Sequence, residues 1–208
     1  MQLEAVTIDA YGTLVTLRDP VPALHAALAD RAINRDTDTV RRAFELEVAF
    51  YLAHAHEGRD DATLALLRHD CTRVFLEAAS VELEPGDFTS AFVSSLTFVE
   101  LPGARAACHE LAAAGLLLAV VSNWDVALGE QLERLQLGSL VSAIVTPAEA
   151  GAPKPAPAMF ELALAELGVA AGAAVHVGDA RSDEEGARAA GMRFEPAPLA
   201  DAARRILA

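Results

Sequence analysis

The sequence predicts an α/β protein: a doubly wound parallel sheet with an α-helical segment inserted into it. Three observations carry that prediction. Short β-rich apolar runs occur at Leu3–Ile8 (LEAVTI), Leu116–Val121 (LLLAVV), Ala143–Val145 (AIV) and Ala173–Val177 (AAVHV). Helical patterns such as GARAACHELAAAG, DVALGEQLERLQLG and PAMFELALAELG alternate with the later runs, as in a parallel sheet with crossover helices. The long stretch Val15–Thr97, between the first run and the second, reads as helix throughout.

Taken in order, LEAVTI opens the sheet. The insertion then predicts helices over Val21–Arg31, Thr37–His56, Ala62–Ala79 and Pro85–Ser95, with Phe44, Val48, Tyr51 and Leu52 on one helical face. A structureless loop of this length inside a compact domain is implausible, so residues 15–97 are assigned to a helical cap and residues 1–14 with 98–208 to the sheet domain. LLLAVV, AIV and AAVHV supply the next strands, and a fifth short strand is expected near Met192–Glu195. Pro155 suits the first turn of the helix that carries PAMFELALAELG.

Composition narrows the function classes. The formal net charge of −14 argues against nucleic acid and anionic membranes as partners, because both require a basic face. The longest uncharged apolar stretch, Leu111–Val121, is too short to span a bilayer. No basic segment precedes the first strand, and Cys71 and Cys108 follow no metal or disulfide spacing, so a reducing cytoplasm is the expected compartment. Monomer and homodimer both stay open.

The strand ends carry the polar residues. Asp9 follows the first strand in IDAYGTL, Ser122 and Asn123 follow the second in VVSNWD, and Asp179 follows the fourth in HVGDARSDEEGARAAG. In a parallel sheet these ends share one edge, where ligands bind. Lys154, after the third strand, reaches the same edge. It is the only lysine among 16 basic residues and stands between Pro153 and Pro155. His176 lies inside an apolar strand and reads as a packed core residue. His54 and His56 are two apart on a helix and do not share a face.

This set resembles the haloacid dehalogenase (HAD) superfamily over essentially the whole chain. Asp9–Leu14 (DAYGTL) looks like its first motif, Ser122-Asn123 the second, Lys154-Pro155 the third and Gly178–Asp183 the acidic fourth; the helical insertion is similar to a C1 cap. The resemblance implies a Rossmann-like core, Asp9 as nucleophile, and Lys154 and Asp183 as its catalytic partners. It implies phosphoryl contacts from Tyr11, Gly12, Thr13, Ser122 and Asn123. It also implies Mg²⁺ held by Asp9, the main-chain carbonyl of Tyr11, and Asp179. Three converging carboxylates against one ammonium leave a charge deficit that a hard cation closes.

Two departures keep alternatives open. Most HAD phosphatases carry a second aspartate, a general acid and base, where this chain has Tyr11. A phenol with pKa about 10 is a poor base at neutral pH. DAYGTL is also similar to the first motif of the 2-haloacid dehalogenases, metal-free enzymes with a cap arginine for which Arg41 or Arg42 falls at about the right distance. Those enzymes have small neutral residues where this chain has Asp179, whose charge would repel a haloacid. SNWD with HVGD is similar to the REG-2-like HAD proteins. The expected function is a Mg²⁺-dependent phosphatase of a small anionic metabolite. The alternatives are a dehalogenase and a catalytically weak phosphate-binding or regulatory protein.

Overall fold

The computed structural model describes residues 2–208. In chain order the elements are β1 (Ala5–Ile8), β2 (Val15–Leu17), α1 (Val21–Ala29), α2 (Thr37–His54), α3 (Asp61–Ala78), α4 (Pro85–Ser95) and β3 (Phe98–Glu100). They continue with α5 (Ala104–Ala113), β4 (Leu117–Val121), α6 (Leu128–Arg134), β5 (Ala143–Val145), α7 (Pro147–Ala150), α8 (Ala158–Leu167), β6 (Ala174–Gly178), α9 (Arg181–Ala189), β7 (Arg193–Pro196) and α10 (Leu199–Leu207). Two compact units result. One comprises the residues up to Thr16 together with Val99–Ala208, the other Leu17–Phe98.

The first unit holds a five-stranded sheet in the order β5-β4-β1-β6-β7, every pair parallel. β1 lies at the centre, and the chain steps outward from it first through β4 and β5, then through β6 and β7. The order therefore reverses at β1, which is where such sheets open a crevice at their carboxyl ends. Ala5, Val6 and Ile8 are fully buried, as a central parallel strand covered on both faces requires. Helices α8 and α9 bury the face that carries Ala5, Ala119, Val121 and Ala174, with Phe160, Met159 and Ala187 filling it. Thr7 and His176 are the two polar exceptions in the central strands, and they are register partners across β1 and β6.

The predicted fifth strand is β7. Short strands β2 and β3, absent from the sequence reading, pair as a ribbon where the chain leaves the sheet unit and returns to it. Helix α8 starts at Ala158, so Pro155 precedes it instead of occupying its first turn; the Lys154–Pro155 peptide is cis.

The helical unit has its own core of Val21, Leu24, Leu28, Val40, Leu67, Phe75, Phe88 and Phe92. Phe75 stacks on Phe88 at 6.1 Å and tilts onto Phe92 at 5.2 Å. Asp36 caps α2 by accepting from the Thr39 N–H, and Asp60 with Thr63 forms a capping box at α3. Of the apolar face expected on α2, Phe44 and Tyr51 pack against this core beside the buried Val40, Ala43 and Glu47, whereas Leu52 is 70% exposed. Cys71 and Cys108 are buried, one in each unit. Among the described residues no helix is long and apolar enough to cross a membrane.

Candidate active site

The site is built on the carboxyl edge of the first unit. Asp9 extends β1 by one residue, its N–H donating to the Val177 carbonyl at 2.9 Å. The chain then turns sharply: the amides of Thr13, Leu14 and Val15 all donate to the Ala10 carbonyl, and that of Gly12 donates to Val15 O. The amides of Gly12 to Val15 are thus spent closing the loop, those of Gly12 and Thr13, two expected phosphoryl contacts, among them, which leaves the amides of Ala10 and Tyr11. Thr13 Oγ1 is a buried hydroxyl without a hydrogen-bond partner. Such a group ordinarily costs stability unless a ligand satisfies it.

Lys154 is the centre of the polar network. Its Nζ donates to Asp9 Oδ1 at 2.6 Å, to Asp183 Oδ1 at 2.5 Å and to the Val121 carbonyl at 3.0 Å, so all three ammonium protons end on protein oxygen. Burial works against the lysine charge, but Asp9 and Asp183 outweigh it and raise its pKa. Asn123, an expected substrate ligand, uses both ends of its amide on the backbone of Lys154. Oδ1 accepts from Lys154 N at 2.7 Å and Nδ2 donates to Lys154 O at 3.0 Å. It fixes the lysine loop, a role that sequence spacing cannot reveal. Ser122 follows β4 on the same edge, buried, with its N–H donating to Val145 O.

Asp183 lies in the first turn of α9, fully buried. Oδ1 accepts from Lys154 and from His176 Nε2 at 3.2 Å, and Oδ2 accepts from the Ala180 N–H at 2.9 Å. Burial opposes its charge, but the His176 hydrogen bond and the Lys154 ammonium hold its carboxyl well below the usual carboxylate range. Asp9 behaves in the opposite way. Burial pushes its carboxyl up, Lys154 pulls against that, and the charge of Asp183 adds to it. His176 stays neutral, its pKa lowered chiefly by burial.

Carboxylate oxygens of Asp9, Asp179 and Asp183 lie within 4.8 Å of one another. The more exposed Asp179 is also raised, by partial burial and then by the charge of Asp183. Hard oxygen donors with excess negative charge, held close on a rigid edge, suit a divalent cation such as Mg²⁺. Asp9 and Asp179 are the carboxylates left to hold one, since Asp183 is engaged with Lys154 and His176. Tyr11, whose carbonyl is the third expected donor, exposes 49% of its surface, and its bridge to Val15 runs through the Ala10 carbonyl and the Gly12 amide, so it does not use the Tyr11 carbonyl. Arg41 belongs to the helical unit, where it pairs with Asp19 at 3.4 Å.

Residues 3–191 of this chain, with their carboxylate cluster and lone buried lysine, match the family described as haloacid dehalogenase-like hydrolases. The chain belongs to that family. It is thus a hydrolase with a HAD-type Rossmann-like core. Among its relatives, it is 31% identical over 213 residues to the ribulose-1,5-bisphosphate 5-phosphatase of Halopiger xanaduensis, covering 95% of this chain and 87% of that protein. It is 31% identical over 206 residues to haloacid dehalogenase-like hydrolase domain-containing protein 3 of Bos taurus, covering 92% and 80%. The structure of YfnB from Bacillus subtilis, solved bound to magnesium, superposes with a TM-score of 0.70 at 16% identity, over 93% of this chain and 88% of that one.

Proposed function

We propose that this hydrolase is a cytoplasmic, Mg²⁺-dependent phosphatase of a small phosphorylated metabolite. The observation that carries the reading is the Asp9–Lys154 pair at 2.6 Å beside the carboxylates of Asp179 and Asp183. With Oδ1 engaged by Lys154, Asp9 Oδ2 is the nucleophile. It forms a bond to phosphorus as the bond to the leaving oxygen breaks, giving an aspartyl-phosphate. Water then attacks phosphorus and returns the carboxylate. Lys154 keeps its charge beside the reacting oxygens, while the Thr13 and Ser122 hydroxyls and the Ala10 and Tyr11 amides receive the phosphoryl oxygens. Asp9, Asp179 and the Tyr11 carbonyl would hold Mg²⁺, which when bound neutralises the phosphoryl oxygens.

The ribulose-1,5-bisphosphate 5-phosphatase among the relatives supports a sugar phosphate as the first class to test, and the magnesium-bound structural relative supports the ion. Tyr11 favours a second reading, the metal-free 2-haloacid dehalogenase. Asp179 stands against that reading, because an unneutralised carboxylate beside Asp9 repels a haloacid anion.

A paired assay separates the two. Phosphate release from an aryl phosphate is measured with Mg²⁺ and with chelator, and halide release from 2-chloropropionate alongside. The phosphatase reading expects Mg²⁺-dependent phosphate release that Asp9→Asn abolishes. Halide release indifferent to chelator overturns it.

A further inference from the structure

One buried group has no part in the chemistry above. His176 is fully buried in β6, whose other side chains are Ala174, Val175 and Val177. A polar ring in a central parallel strand is costly unless both nitrogens are satisfied. Both are. Nδ1 lies 2.8 Å from Thr7 Oγ1, on its register partner in β1, and Nε2 lies 3.2 Å from Asp183 Oδ1. Phe160 meets the ring edge-on at 4.9 Å and holds its plane.

The donor directions follow from the partners. An ionised Asp183 only accepts, so Nε2 carries the proton; the neutral ring then accepts the Thr7 hydroxyl at Nδ1. The Asp183 side chain also passes so close to Gly178 that a Cβ there would overlap its carboxyl carbon. Its carboxylate is thus held by Gly178 below, by the Ala180 N–H on Oδ2, and by His176 on the oxygen that receives Lys154.

We infer that His176 is a positioning residue: through the Thr7–His176–Asp183 chain it presents Asp183 Oδ1 to Lys154 and so sets the ammonium on Asp9. This rests on the assignment of Asp9 as nucleophile with Lys154 as its partner. A histidine that merely filled the core could be replaced by any apolar side chain of similar volume that folds.

The single lysine makes the inference directly readable, since ε-¹⁵N-lysine labelling gives one ammonium resonance. Wild type, His176→Leu and His176→Gln are compared by that resonance and by steady-state phosphate release with Mg²⁺. Leucine removes both hydrogen bonds. Glutamine keeps a donor for Asp183 and an acceptor for Thr7. The expected result for His176→Leu is a displaced or broadened resonance and kcat lower by about 10–100-fold, with KM within about threefold. His176→Gln restores most of both. An unmoved resonance in His176→Leu, or His176→Gln no better than His176→Leu, overturns the positioning role. If wild type releases no phosphate, the resonance alone decides the positioning role, and only the phosphatase reading falls. Should His176→Leu fail to fold, Thr7→Val takes its place with the same expectation at smaller amplitude.

Discussion

The carboxylate of Asp179 occupies the space that a side chain on Gly12 would need. A Cβ at position 12 would overlap Asp179 Oδ2, and Gly12 has φ +82°, where only glycine sits without strain. The first motif and the acidic motif therefore interlock through the absence of a side chain.

Gly12→Ala should break that interlock. Adding the methyl displaces Asp179 or the loop, so Mg²⁺ affinity measured by calorimetry is expected to fall by about tenfold or more. Strain in the left-handed region should also cost about 1–3 kcal/mol in thermal unfolding. Wild-type Mg²⁺ affinity in this variant would remove Asp179 from the proposed donor set.

Lys154→Arg tests the tripod on Asp9, Asp183 and Val121 O. A planar guanidinium cannot direct three protons as a compact ammonium does. The expected loss in kcat is about 10²–10³-fold with an unchanged circular dichroism spectrum. Lys154→Met should behave differently, costing about 3–5 kcal/mol of stability by leaving two buried carboxylates without a counter-charge. Near-full activity in Lys154→Arg would make the lone lysine an accident of composition.

Glu47 gives the helical unit a pH dependence. It is 4% exposed on α2, and burial pushes its carboxyl up to about 7 against a hydrogen bond from Cys71. The folded chain thus keeps a proton that the unfolded chain releases near 4.5. The stability contributed by that proton is full below the unfolded value and lost as pH rises through about 7. By about pH 8 the loss is on the order of 3 kcal/mol. Glu47→Gln should flatten the fall in unfolding free energy between about pH 5 and pH 8. Parallel curves for the two proteins would show that Glu47 is not the group responsible.

Tyr11→Asp should install the proton donor that the first motif lacks. For an alkyl phosphate, whose leaving oxygen needs a proton, the expected gain in kcat approaches about 10²-fold, the lower end of general acid catalysis. For an aryl phosphate with a good leaving group the gain should be small. Equal gains on both substrates would mean that the aspartate acts by some other route.

The active-site edge was legible because a parallel sheet sends every carboxyl end the same way: alternating strands and helices bring Asp9, Ser122, Lys154 and Asp179 together. Contacts between distant segments were not legible. Thr7 and His176 are 169 residues apart, and the apolar pattern of β6 reports burial without reporting the partners of a ring nitrogen. Asn123 reads as a substrate ligand from its place after β4, yet its amide is consumed by a loop 31 residues away. On α2, hydrophobic periodicity points to Leu52 and passes over Glu47, because a pattern of apolar residues cannot find a buried carboxyl group.

The proposed phosphatase chemistry requires Asp9 to carry the phosphoryl group. Acid-quenching the enzyme early in its reaction with an aryl phosphate and Mg²⁺, then mapping its peptides by mass spectrometry, tests this directly. The expected result is one phosphoryl group on the peptide containing Asp9, absent in chelator and in Asp9→Asn. Phosphate released at full rate with Asp9 never labelled, or with the label on another residue, would contradict it.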